Sequence, residues 1–480
     1  MPTAVIVGGS VAGLASALAL SGIGYRVLVL ERAAPPPQWS VAEAAGRWRR
    51  PTVPQGIHSH TLTSLGVRVL RERAPQVLAG ARAAGAPTLD LTGTVPAGAT
   101  DGAREPGDEE LVALGCRRSS LELILYRAVC ALPGVTVRHD SAVGGLELDP
   151  GQHRVRAVVT AAGTRVPADV VVDATGRQAL SRTWLRIAGV PVADDRTSPS
   201  GLSGYTRFYR LIAAELPGPL GRGNAAGDIW DHYAGVLHPG DNDTFSIALA
   251  TLPGDRSMAG LRSRAGFTAV ARATPGLGPW LEDGVSEPIS PVHAITSPPN
   301  TLRGTATSHQ RPVAGLFPVG DAACVTNPLF GRGMSLALDH AFRLADVLAV
   351  HQDIDTTQRR AVARMTQELF LPWYEQSTAA DRVRVARWRA AVNGTPLPPV
   401  PDAGSGLPTA EEVASAARVD GVVWRGLTRM LMTLATPAEV FGDDKFVARV
   451  RQAGGPAARR EGPTRGHLLR LLAEAQGAVV

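Results

Sequence analysis

Gly8-Gly9-Ser10-Val11-Ala12-Gly13 follows a short apolar run, residues 4–7, and precedes an Ala/Leu-rich segment that reaches Gly22 without a proline. A strand that feeds a helix through such a turn presents free N–H groups and the positive end of the helix dipole to a phosphate. Gly8 permits the tight turn and Gly13 the close packing of helix on strand. Gly9 and Ala12 keep the turn small. Ser10 stands where a dinucleotide turn usually has its middle glycine, and it is still small enough for backbone to approach a phosphate. A second strand-like run, residues 25–30, ends at Glu31-Arg32. Glu31 lies 18 residues after Gly13, where a carboxylate can accept hydrogen bonds from ribose hydroxyls. An acid there suits the unphosphorylated ribose of FAD or NAD better than the 2′-phosphate of NADP. This turn alone does not separate FAD from NAD.

A second glycine-rich stretch makes that choice. Gly320-Asp321 closes the apolar run 315–319. Asn327-Pro328-Leu329-Phe330-Gly331-Arg332-Gly333-Met334-Ser335 then opens a helix reaching about residue 350. Two glycines before a long helix again imply close backbone approach. The helix dipole there can stabilise negative charge on the N1–C2=O region of a reduced flavin. Asp321 is placed to bond a sugar-like hydroxyl.

Other polar residues are less specific. His58 and His60 are two apart, so in an extended segment both point to one face. That pattern allows half of a metal site, hydrogen bonding beside a flavin, or a structural role. His58 is the candidate acid–base group, because imidazole titrates near neutral pH. Tyr205, Arg207 and Tyr209 alternate onto one face of a strand. Trp230, His232 and Tyr233 form a second polar-aromatic cluster. With Phe330, these are candidate pocket residues, although half-buried sheet residues read the same way. His293 and His340 carry no signal. No Ser-His-Asp order and no metal-ligand spacing is present, and no metal site is expected.

The elements that position these groups follow from hydrophobic period and turn chemistry. The unit 4–31 is strand, turn, helix, strand. Helices are expected over 62–82 and 121–132, and short strands over 135–137, 145–148, 154–159 and 168–174. Between about 185 and 296, short alternating runs separated by Gly, Pro and Asp read as an antiparallel sheet. From residue 351 the chain reads as helical, broken by a Pro/Gly linker over 394–406. The expected class is α/β. A discontinuous Rossmann-like FAD domain (1–184 and 297–350) carries a β-rich substrate domain (185–296) and a helical C-terminal region (351–480).

Composition bounds the partners. With 480 residues, 44% hydrophobic and 19% charged, the chain is long enough for two or three domains. A strand-like run from Thr3 leaves no room for a secretory leader, and no long uncharged apolar stretch is present, so a cytoplasmic protein without membrane insertion is expected. The membrane-surface reading of the apolar residues over 422–440 is weaker than packing against the flavin domain. Cys116, Cys130 and Cys324 are scattered and read as free thiols. The net charge of +6 is spread arginine, with Lys445 the single lysine. No basic stripe or nucleic-acid motif accompanies it.

The pattern resembles the FAD-dependent monooxygenases of the aromatic-hydroxylase type, and in detail the bacterial flavin epoxidases of polyether biosynthesis. Gly-Asp followed by PxxGxGM is that superfamily's second FAD fingerprint. The resemblance implies that Asp321 contacts the ribityl chain, that Pro328, Gly331, Gly333 and Met334 lie against the isoalloxazine, and that Gly320 is among the cofactor-binding residues. Arg118-Ser119-Ser120-Leu121-Glu122 is similar to its RxxLE segment, which implies that Arg118 lies near FAD. Val53-Pro54-Gln55-Gly56-Ile57-His58-Ser59-His60 looks like VPQxxHxH, which implies Gln55 and the histidines near the flavin. Asp173-Ala174-Thr175-Gly176-Arg177 resembles the DATGR turn. Ser10, Thr175-Gly176 and Ala323-Cys324 depart from phenol hydroxylases and put an aromatic substrate in doubt.

The resemblance implies transfer of one oxygen atom of O2, through a flavin C4a-hydroperoxide, to a hydrophobic natural-product intermediate by epoxidation or hydroxylation. Electrons would come from NADPH or NADH, docking transiently, or from a partner flavin reductase, since no second nucleotide turn is visible. A FAD-dependent dehydrogenase or alkene reductase is the alternative. A halogenase is disfavoured: its WxWxIP motif is missing, and Lys445 lies outside the matching region. A non-catalytic flavoprotein would bind FAD without turnover.

Overall fold

The computed structural model describes residues 1–151, 153–398, 407–454 and 462–477. Of the expected linker, residues 399–406 lie outside the described residues. The nucleotide-binding layer is a five-stranded parallel sheet. Its spatial order is Leu316–Pro318, Val170–Asp173, Thr3–Val7, Arg26–Leu30 and Val135–Arg138. The strands are short apolar runs because both faces are covered, as parallel strands require. Val170–Asp173 is buried throughout. One face packs on the helices Val11–Gly22, Arg118–Cys130 and Gly333–Val350. The other face meets the antiparallel strands Val143–Leu148 and Val155–Thr160, and Trp184. A strand from residues 316–318 completes a sheet begun at residue 3, so the chain leaves this layer and returns to it.

The expected helix over 62–82 is two helices, Ser64–Arg73 and Pro75–Ala83. Pro75 has no N–H to continue the first and is well placed to start the second.

The second layer is antiparallel. Ala226–Ile229, Ala234–Pro239, Thr244–Thr251 and Ser203–Leu211 pair in that order, and Ser286–Pro288 and His293–Thr296 both pair with Ser203–Leu211. Its two faces differ. Arg207 and Tyr209 face the helix Arg264–Ala273 and Trp280: Arg207 donates to Thr268 Oγ1 at 2.9 Å, and Tyr209 stacks on Phe245, which meets Trp280 edge-on. Thr206, Ser246 and His238 point the other way, toward residues 58–60.

The helix Thr356–Asn393 runs behind the second glycine-rich turn. The helix Gly421–Leu431 buries Val423, Trp424 and Met430 against the core, so the apolar residues of 422–440 are used in packing. Among the described residues, no helix is long and apolar enough to cross a membrane.

Candidate functional site

The first turn sits between the strand Thr3–Val7 and the helix Val11–Gly22. Gly8 has φ +109°, and a Cβ there would lie 2.4 Å from the Ala174 carbonyl oxygen. A Cβ on Gly13 would lie 1.8 Å from the Gly8 carbonyl oxygen. Neither position accepts a side chain. Ala12 packs close behind, and a Cβ on Gly320 would come within 2.9 Å of its methyl. The two glycine-rich turns, remote in sequence, therefore touch.

Glu31 is buried at the end of its strand. It accepts from the Gly9 N–H at 2.7 Å and the Ala33 N–H at 2.8 Å, and pairs with Arg50 at 3.0 Å. Arg50 also pairs with Glu122. Arg32 is bonded weakly to Gln178 at 3.4 Å, at the surface. Ser10 does more than stay small: its hydroxyl donates to Glu122 at 2.9 Å and accepts from Arg118 Nη2 at 3.0 Å. The residue that departs from the glycine pattern thus ties the turn to the start of the helix Arg118–Cys130. Arg50 carried no sequence expectation, and Glu122 stood only as the last residue of the RxxLE-like segment. Their signal exists only once distant segments meet.

Beyond Arg118 lie Asp321 and Arg177. Burial lowers Arg118 to about 10, still charged at neutral pH, and Asp321 opposes that shift. Arg177 Nε is 3.7 Å from Asp321. The Nε atoms of Arg118 and Arg177 are buried, and within the described residues neither makes a hydrogen bond. Gly320 is held by its N–H, which donates to His340 Nδ1 at 3.2 Å, while His340 Nε2 meets Thr366 Oγ1 at 2.9 Å. Burial drives His340 down to about 3, so it stays a neutral strut.

Pro328 and Phe330 form a single turn that ends on Gly331, at φ +66°, and Gly333 and Met334 begin the long helix. Ser335 receives the N–H of Thr63 at 3.1 Å and lies 2.8 Å from its hydroxyl. A Cβ on Gly331 would come within 3.0 Å of Thr61. The segment with Gln55, His58 and His60 is thereby laid between this turn and the antiparallel sheet. Gln55 is in a short 3-10 turn, Pro54–Ile57, and is half-buried. Phe330 stacks under Arg332, which also lies 4.6 Å over Trp373.

His58 Nδ1 is 3.1 Å from Thr206 Oγ1, and its ring meets that of His293 edge-on at 6.3 Å. Burial, then His293 and Arg177, push His58 down to about 4. His60 Nδ1 is 2.9 Å from the His58 carbonyl oxygen, so that nitrogen carries the proton and donates. Burial and Arg118 push His60 to about 3. Among the described residues no group of three or more His, Cys, Asp or Glu could hold a metal ion.

The structure does not bring the other candidate pocket residues to these histidines. Arg207 and Tyr209 lie on the helix-covered face of the sheet, and Tyr205, two residues earlier, shares that face under Arg262. Period-two alternation groups them correctly but does not say which face meets the site. Trp230 stacks on Tyr233, and its carbonyl accepts from Trp388. His232 is beside Tyr233, and burial and Arg465 lower it to about 4.

Contacts therefore join Glu31, Arg50, Glu122, Ser10 and Arg118 in a line. Electrostatic proximity continues it through Asp321 and Arg177 to the histidines beneath the sheet. The donor set fits FAD: a carboxylate for ribose, a glycine turn with arginines bearing unused N–H groups for the diphosphate, and an aspartate for a hydroxylated chain.

The fold is shared with solved flavin-dependent enzymes, halogenases and monooxygenases among them. No family model matches the chain. It is 29% identical to Protein Rv3254 of Mycobacterium tuberculosis over 395 residues, 77% of this chain and 78% of that protein. It is 26% identical over 352 residues to 6-hydroxy-3-succinoylpyridine 3-monooxygenase HspB of Pseudomonas putida, covering 72% of this chain and 78% of the relative. PqsL of Pseudomonas aeruginosa, solved with 2-aminobenzoylacetate, superposes with a TM-score of 0.57 at 17% identity, over 82% of this chain and all of that one. The halogenase CmlS has the same fold, with a TM-score of 0.56 at 19% identity over 81% of this chain and 67% of that one. Fold alone does not choose the reaction.

Proposed function

We propose that the protein is a FAD-dependent monooxygenase that places one oxygen atom of O2 on a hydrophobic natural-product intermediate, by epoxidation or hydroxylation. The observation that supports this reading is the line of contacts from Glu31 to Arg118, continued by proximity to His58, along which an extended FAD would lie with its flavin end under the antiparallel sheet. The monooxygenase named among the relatives supports the same reading. NADPH or NADH, directly or through a flavin reductase, is the proposed electron source.

Bound FAD supplies the redox chemistry that activates O2. Glu31 would hold the adenosine ribose, with Arg32 at the rim. The turn Gly8 to Gly13 and the helix behind it would offer N–H groups to the diphosphate, and Arg118 would add charge. Asp321 would take ribityl hydroxyls. Gly331, Gly333 and Met334 begin a helix whose N-terminus would stabilise negative charge on a reduced flavin. Residues 53–63, held by Thr61, Thr63 and Ser335, and the sheet above them keep water from the reacting atoms. Gln55 closes the near side. His58, lowered to about 4 by burial and so neutral at pH 7, loses the near-neutral titration that made it the acid–base candidate, and would offer substrate a hydrogen-bonding nitrogen instead.

The test compares electron acceptors. Holoprotein that consumes O2 in the presence of substrate, and fails to reduce organic acceptors anaerobically, supports oxygenation. Rapid anaerobic exchange with organic acceptors and no O2 consumption supports a dehydrogenase or alkene reductase instead.

A further inference from the structure

The sheet face over the candidate flavin end is unusually rich in imidazole. His58, His238 and His293 are each half-buried. Thr206 pairs across the ladder with His293, and Ser246 pairs with His238, so these side chains share one face. His58 reaches that face through Thr206, and Ser59 reaches it through His238 Nδ1 at 3.1 Å and Ser246 Oγ at 2.8 Å. The protein thus uses one nitrogen on each of His58 and His238. Among the described residues, no hydrogen bond is made by Nε2 of either, or by His293. None of these nitrogens is among the sealed, unpartnered polar atoms.

These nitrogens are open rather than sealed, so water or a ligand can complete their hydrogen bonds. The rings are uncharged at neutral pH. Burial lowers His58 and His238 to about 4, and lowers His293; the charged neighbours contributing are Arg177, Arg222 and Arg49, with no carboxylate among them. Neutral imidazole can donate or accept, so it discriminates by shape and hydrogen bonding rather than by charge. Apolar packing is supplied beside it by Phe208, Val236 and Ala248, on the same face by register.

We propose that His58, His238 and His293 are specificity-determining residues. They form a hydrogen-bonding wall that selects a substrate carrying oxygen substituents over a hydrocarbon of equal size. This rests on the oxygenase reading of the same cleft. It departs from a purely hydrophobic pocket, because a site built to bond a hydroxyl rejects the analogue that lacks it.

The test uses FAD-loaded protein in its oxidised form, so it needs no turnover. Two probes of matched size, 2-naphthol and 2-methylnaphthalene, are titrated while the absorbance of bound flavin is followed. Wild-type protein is expected to prefer 2-naphthol by about tenfold or more. His293→Phe is expected to reduce that preference by about fivefold, the worth of one neutral hydrogen bond, with flavin content unchanged. His293→Gln, which restores a donor and an acceptor, is expected to recover it. A merely structural role for His293 would not give rescue specific to the hydroxylated probe. Equal affinity for the two probes in wild-type protein, measurable or not, overturns the proposal. So does a preference untouched by His293→Phe. Failure to bind FAD at all would instead defeat the oxygenase reading, and flavin content reports that separately.

Discussion

On the proposed reading, cofactor binding turns on Gly13 and Asp321, and their substitutions should fail in different ways. Gly13→Ala drives a methyl into the Gly8 carbonyl. Backbone must move, at a cost of about 3 kcal/mol, and the purified variant should carry little flavin by absorbance. Asp321→Ala keeps the fold and removes a charged acceptor. The loss of about 1.5–3 kcal/mol should weaken FAD binding by roughly tenfold to a hundredfold in a flavin-release titration. Unchanged flavin content in Asp321→Ala would mean that the second turn holds some other group. The glycines could be read in the sequence because a backbone demand is local: a positive φ or a close approach is written at one position. Arg50, Glu122, His238 and His293 could not. Their partners are far away in the chain, so even where a motif lies next to them, as at Glu122, the sequence does not show what they contact. Ser10 was read as merely small, yet its hydroxyl joins Glu122 to Arg118.

At the scale of elements, the period of each strand was legible and its orientation was not. Tyr205, Arg207 and Tyr209 share a face, as alternation implies, but that face is covered by the helix Arg264–Ala273. Thr206, between them, carries the contact to His58. A hidden joint between elements also escaped the sequence. Asp381, in the long helix Thr356–Asn393, accepts from Asn300 and Asn327 at 2.7 Å each and from Arg384 at 2.9 Å. Asn327 in turn caps the turn that begins at Pro328. The C-terminal region is thereby locked to the second glycine motif. Asp381→Ala leaves the buried Arg384 guanidinium without its carboxylate, on carbonyl acceptors alone, and two amides without their acceptor, so it should cost about 3–5 kcal/mol. Urea denaturation should register that loss. Stability within 1 kcal/mol of wild type (roughly the scatter of a neutral substitution) would contradict this role.

At the scale of the whole molecule, four imidazoles are held neutral by burial. His58 and His238 are lowered to about 4, and His60 and His340 to about 3, with burial as the leading cause each time. In the unfolded chain they titrate near 6.5. Between that value and the folded value the unfolded state binds more protons, so stability is full above about pH 6.5 and falls as pH drops toward 4. His340, fully buried, alone contributes a slope of about 1.4 kcal/mol per pH unit in that window. Thermal melts between pH 7.5 and 4.5 should show the decline, and His340→Phe should flatten it. A melting temperature independent of pH across that range would show that these rings are not held neutral by the fold. The α/β class and the return of the chain to the parallel sheet at residues 316–318 were readable from composition and period. The approach of the two glycine turns was not, since only packing brings Ala12 against Gly320.

On the proposed reading, O2 supplies one atom to the product. In the deciding experiment the protein is loaded with FAD, reduced anaerobically, and mixed with 18O2 and candidate polyene or oxygenated hydrophobic substrates before mass spectrometry. The expected product is heavier by one 18O atom and is made in proportion to flavin reoxidised. Product formed without label, or flavin reoxidised by an organic acceptor while O2 is untouched, would contradict it.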